Sequence, residues 1–167
     1  MTYHVNAIAN YFIEKAQSAE CRDLTPMKLL KLVYIAHGWS LGLFGKALFN
    51  EEVEAWRYGP VIRPLYHQLK HYGSSNISRH LDPPPFVRAE AASVNPESED
   101  AQLLDQVWIG YGSLSGVQLS AITHEKGSPW EKTWDGRGLY GLIIRTSDIE
   151  THYRKLYEEK NTAKPSH

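Results

Sequence analysis

The chain has 167 residues, 42% of them hydrophobic, with 18 basic and 19 acidic side chains and a formal net charge of −1. That length fits one domain, and a domain of this size buries ~70% of the surface its unfolded chain exposes, so a core forms without disulfides or a structural metal. The lone cysteine, Cys21, excludes an internal disulfide, and the balanced charge offers no basic stripe for a phosphate backbone. No apolar run approaches the ~20 residues of a membrane helix. Asn6, Asn10 and Glu14 interrupt the first apolar positions, so no signal peptide is read there and the expected location is cytoplasmic.

Val5, Ile8, Phe12, Ala16 and Ala19 share one helical stripe with Asn6, Asn10, Glu14 and Gln17 opposite, which predicts an amphipathic helix over residues 3–19. Thr25 then offers a cap, Pro26 suits a first helical position, and Leu24 with Leu29 has the spacing of a hydrophobic staple. The helix that follows runs to about Phe44 and is apolar nearly all round. Lys28, Lys31, Gly38 and Gly42 form its narrow non-apolar strip. A helix of this kind belongs at the buried centre of a domain. Gly45-Lys46 ends it, and residues 47–49 and 53–56 flank Asn50-Glu51-Glu52 as a predicted β-hairpin. Gly59-Pro60 is read as the turn into a third helix with Ile62, Leu65, Tyr66, Leu69 and Tyr72 inward and Pro64 in its first turn.

Residues 73–97 hold Pro83-Pro84-Pro85 and little periodicity, and predict a long, mobile surface loop. Leu103, Leu104, Val107, Trp108 and Tyr111 mark a fourth helix. Ser115 with Gln118 forms a capping box, stapled by Leu114 and Leu119, for a fifth helix ending near His124. One further helical turn is expected from Pro129 to Trp134, a short strand near 142–145, and a last helix opened by a Ser147/Glu150 capping box. That helix should turn Ile149, Tyr153, Leu156 and Tyr157 inward, and the polar tail from Asn161 should fray. The expected fold is mainly α: a compact single-domain helical bundle over residues 1–160 around a buried central helix, with a small β-hairpin, one extra short strand, and a tail at 161–167.

Little in this sequence points to catalysis. His67 and His71 have the spacing of two metal ligands on one helix face, but no Cys or His partner follows at metal-site spacing, and they read as surface histidines. His37 lies on the side of the central helix away from Lys28 and Lys31. It is either a general base or, as we favour, a hydrogen-bonded core residue. His124 beside Glu125 is explained by the helix end, and Gly136-Arg137-Gly138 is too short to identify a phosphate loop. No G-x-S-x-G elbow, Walker A or Rossmann fingerprint is present. The chain is therefore read as a non-enzyme with neither cofactor nor metal.

The aromatic surplus of 5 Trp, 10 Tyr and 4 Phe says more. Trp56, Arg57 and Tyr58 end a hairpin just before a helix start, and Arg63 follows closely. Aromatics and arginine dominate protein–protein hot spots, although Trp56 and Tyr58 could equally lid the core. A partner-binding face of Trp56, Arg57, Tyr58 and Arg63 is the first candidate site. The strip of Lys28 and Lys31 is the second.

Leu24-Thr25-Pro26-Met27-Lys28-Leu29-Leu30-Lys31-Leu32-Val33-Tyr34 with Gly38-Trp39 resembles the opening signature of the Panacea domain of SocA-like antitoxins. Gly45-Lys46-Ala47-Leu48-Phe49 and Glu54-Ala55-Trp56-Arg57-Tyr58-Gly59-Pro60-Val61 continue the likeness. Leu65-Tyr66, Tyr72-Gly73, Leu119-Ser120, Thr123-His124 and Pro129-Trp130 follow in order, so it spans about residues 3–157. The resemblance implies a bacterial or phage-borne antitoxin whose partner is a cognate protein toxin, neutralised by direct complex formation. It also implies two alternatives: a proteolytic adaptor that delivers a toxin to the ClpXP protease, or a small nucleic-acid-binding regulator of a mobile element. Some relatives carry a DNA-binding helix-turn-helix; this chain begins with the domain itself, so nucleic acid is not the expected partner, and neither is a membrane.

Overall fold

The computed structural model describes residues 2–137 and 141–162. Its centre is α2, Pro26–Phe44, in which every residue except Met27, Leu43 and Phe44 is buried. The hydroxyl of Thr25 accepts from Lys28 N at 3.3 Å, Pro26 occupies the first turn, and Gly45 closes the helix with φ 63°. A side chain is strained at such a φ and glycine is not. Around α2 pack α1 (Val5–Ser18), α5 (Glu99–Tyr111), α6 (Gly116–Thr123) and, most extensively, α8 (Thr146–Thr162). Gly38 and Gly42 are not a polar strip facing water. They form a track on which α8 lies, the ring of Tyr153 against Gly38 and its Cβ against Gly42.

The hairpin differs from its predicted pairing. β1, Glu54–Trp56, pairs antiparallel with β2, Gly59–Val61, in the register Glu54↔Val61, Ala55↔Pro60, Trp56↔Gly59. Residues 47–49 instead meet the N-terminus through a parallel bridge from Phe49 to Tyr3. The turn is Arg57-Tyr58, and Gly59 supplies the positive φ, 124°, that brings the chain back. Pro60 stands opposite Ala55 at a non-hydrogen-bonded position, so its missing N–H costs the ladder nothing. The far edge of β1 takes the expected extra strand as a single bridge, Glu54↔Ile143, flanked by Ala55 N to Leu142 O and Ile144 N to Val53 O. Gly59-Pro60 thus lies within a strand. The third helix is α3, Arg63–Leu69, with Pro64 in its first turn and a 3-10 turn at Lys70–Tyr72 after it.

α6 carries both halves of its capping box, and α7 spans Pro129–Thr133. The second expected box does not form. α8 starts two residues earlier, Ile149 N bonds Arg145 O, and Glu150 accepts from Arg154. Ile149 and Tyr153 point inward, Leu156 is half-buried, and Tyr157 is exposed. Two polar residues expected outside also turn in. Asn6 is buried and exchanges two hydrogen bonds with Gln68, and Asn10 exchanges two with the backbone of Leu81. Segment 73–97 contains a one-turn helix, α4 (Ala89–Ala92), and is tied to Leu24 by Asn76 and Ile77. Residues 163–167 of the tail and Gly138 of the Gly-Arg-Gly motif lie outside the described residues. No described helix is long and apolar enough to cross a membrane.

Candidate functional site

The hairpin tip is held from below by three side chains, each donating to one of its carbonyls. Trp130 Nε1 bonds Trp56 O, Ser120 Oγ bonds Tyr58 O, and Lys31 Nζ bonds Pro60 O at 3.1 Å. Gly59 sits directly on this support, where any Cβ would come within 2.9 Å of Lys31 Cε and 3.3 Å of Thr123 Oγ1. Each donor comes from a different helix, α7, α6 and α2, so the core fixes the tip backbone. Fixed backbone has little left to order on binding. His124 Nδ1 lies 3.3 Å from Ser120 Oγ and its ring stands edge-on to Trp130, which in turn stacks on Trp134.

The first set of candidates divides. Arg57 and Tyr58 project from the turn, Tyr58 at 59% exposure with the Arg57 guanidinium 5.6 Å from its ring. Trp56 is half-buried, edge-on to Tyr66 at 4.9 Å, with Nε1 donating to Glu54. Arg63 grips Glu54 with both Nε, at 3.0 Å, and Nη2, at 2.7 Å. The Glu54 carboxylate also accepts from Gly141 N, and these partners hold its pKa below the ordinary glutamate value despite its burial. Arg63 therefore shapes the site by bracing β1 rather than standing at its tip.

The second set is buried. Lys28 is 1% exposed and Lys31 2%, so the two do not form a strip on the open surface. Lys28 donates to Asp23 at 2.9 Å and lies 5.8 Å from the Trp108 ring. Lys31 forms part of a cavity of about 530 Å³, open to solvent, between the first turns of α2 and the hairpin. Met27, Leu30, Trp56, Tyr58 and Trp134 supply much of its wall, and among the described residues neither Asp nor Glu lines it. The structure thus brings Lys31, Trp56, Arg57 and Tyr58 together and leaves Lys28 and Arg63 outside the cavity. Ser120, Thr123 and Trp130 had appeared in the sequence only as family markers. Their signal was order along the chain, which does not reveal contact.

Elsewhere the chemistry is modest. His67 and His71 are exposed beside Tyr66 and Tyr72, and no cluster of three or more His, Cys, Asp or Glu side chains suited to a metal occurs among the described residues. The Cys21 thiol donates to Asp23, and burial, then that bond, raises its pKa, which makes it a poor nucleophile.

The profile of the antitoxin SocA-like, Panacea domain family matches residues 29–131. Antitoxin SocA of Caulobacter vibrioides (strain NA1000 / CB15N) is 28% identical over 162 residues, which cover 95% of this chain and 86% of that protein. No solved structure matches with significance. The profile match covers more than half of the chain and includes the hairpin, Lys31 and all three tip-supporting donors, so the chain belongs to the SocA-like antitoxin family with a Panacea domain.

Proposed function

We propose that this chain is an antitoxin that neutralises a cognate protein toxin by forming a direct, inert complex, and that the hairpin tip with the cavity beside it is the face that holds the toxin. The reading assigns no reaction to the chain. It rests chiefly on one observation: a turn exposing Arg57 and Tyr58 whose carbonyls are pinned by three helices. An exposed aromatic and an arginine on backbone that needs no ordering make an economical hot spot.

The test is to co-express the chain with the small protein encoded by the adjacent gene and score growth. Arg57→Ala and Tyr58→Ala should each weaken binding by about 1–3 kcal/mol while leaving the melting temperature unchanged. Full neutralisation by both variants would place the toxin on another face. Rescue that persists in cells without ClpXP supports direct blocking, whereas rescue that vanishes there makes the chain an adaptor.

A further inference from the structure

Two lysines one turn apart on α2 are equally buried and unequally satisfied. Lys28 has the Asp23 carboxylate. Lys31 has one acceptor among the described residues, the neutral carbonyl of Pro60, for an ammonium that carries three donors. A buried charge without a counter-charge is costly, and burial pushes the Lys31 pKa down to about 8. Support of the hairpin accounts for one of its donors, and a neutral side chain could donate that one bond at less cost. Lys31 also lines a cavity with largely apolar walls, with Arg57 among its lining residues and no acid among the described ones.

We infer that this cavity seats an Asp or Glu side chain of the partner, its carboxylate meeting Lys31 at the floor while neighbouring apolar residues pack on Trp56, Tyr58 and Trp134. The inference rests on the hairpin face being the binding face, and adds what that face recognises. Water-excluding walls strengthen such a pair because the effective dielectric falls. A nucleic-acid backbone fits less well, since the cavity offers two cations rather than a stripe and the chain's net charge is −1.

The experiment uses the full chain as bait for a random dodecapeptide library displayed with its C-terminus fused, so that every carboxylate offered belongs to a side chain. Enriched peptides should share an Asp or Glu beside apolar residues. For one such peptide, isothermal titration should give binding at least about tenfold weaker after its acid is changed to the amide, and similarly weaker for wild-type peptide on Lys31→Met. The double change should cost little more than either alone. Lys31→Arg, which keeps the charge, should bind better than Lys31→Met if it folds, and circular dichroism on each variant settles folding. Enrichment of peptides without an acid, equal binding by Lys31→Met, no enrichment at all, or displacement of the peptide by oligo-dT would each overturn the inference. If Arg57→Ala and Tyr58→Ala abolish neutralisation while Lys31→Met does not, the carboxylate seat fails and the binding face stands.

Discussion

His37 shows how far burial alone can set a residue's chemistry. Leu48 N donates to its Nδ1 at 3.3 Å, and its ring stacks on Phe49 at 4.1 Å. An Nδ1 that accepts belongs to a neutral imidazole, and desolvation pushes the pKa down from 6.5 to about 4. The folded pKa lies below the unfolded one, so the stabilisation is complete above pH 6.5 and is lost as pH falls from there towards 4. A gap of that size is worth about 3 kcal/mol. Urea titrations at pH 7, 5.5 and 4.5 should show that loss in the wild type and a flatter course in His37→Gln. Burial lowers the pKa of His152 too, so the difference between the two proteins carries the assignment. Parallel curves would place His37 in solvent. The Lys31 gap has the same sign, with its cost fully present at neutral pH and gone above about pH 10.5. Lys31→Met should therefore raise the melting temperature at pH 7 even as it weakens the partner; a lower one would mean that the bond to Pro60 outweighs the buried charge. Periodicity revealed His37, because an apolar helix face names its own core. It did not reveal the burial of Lys31, because a lysine beside glycines reads as a wet strip until the element covering it is known.

At the scale of elements, the hairpin covers Lys31, and α8 covers the glycines of that strip. α8 is the tighter of the two. Its backbone approaches α2 so closely at Gly42 that a Cβ there would come within 2.7 Å of Tyr153 Cβ and 2.8 Å of Arg154 N. Backbone cannot swing aside as a flexible side chain does, so Gly42→Ala should cost about 1–3 kcal/mol as overpacking, despite alanine's better helix propensity. Gly110 on α5 has nothing within 4 Å of such a Cβ, and Gly110→Ala should be neutral or stabilising by up to about 1 kcal/mol. Denaturant midpoints of the two variants check the contrast, and a Gly42→Ala protein as stable as wild type would remove the close-approach argument. Helix starts were legible where a cap and a staple coincided with a proline, as at Thr25-Pro26, or with a capping box, as at Ser115–Gln118. The Ser147/Glu150 pair carried the same signal without being a terminus, since Arg145 O already closes the first turn there. Hairpin register was harder to read. Arg57-Tyr58 lacks the Asn-Gly type of turn signal, and Pro60 hid the positive φ of Gly59 by suggesting the end of a strand rather than its second residue.

The whole molecule is organised by one buried helix, which makes its parts interdependent. The matched segment 29–131 contains α2 from Leu29 onward, the hairpin and the donors that pin it, and so most of the candidate site. It leaves out α1, whose Val5, Ile8, Phe12 and Ile13 are fully buried, and α8, whose Tyr153 fills the track on α2. It also leaves out the stretch around Ile143 that pairs with the outer edge of β1. Removing these pieces would expose two faces of an almost entirely apolar helix, and several lost side chains at about 2–5 kcal/mol each exceed the stability of an ordinary domain. The binding unit is therefore expected to be the whole of residues 1–160 rather than the matched segment. A fragment of residues 24–134 retains the Thr25 cap, Trp130 and Trp134, yet should melt without a cooperative transition, bind a hydrophobic dye and fail to protect cells from the toxin. A chain ending at residue 162 should match the full-length protein in both melting temperature and neutralisation. A sharp, reversible transition in the 24–134 fragment would show that α2 and the hairpin form a self-sufficient core, with α1 and α8 as attachments. Loss of the transition together with loss of protection would show that the tip is rigid only because helices from both ends of the chain hold its floor in place.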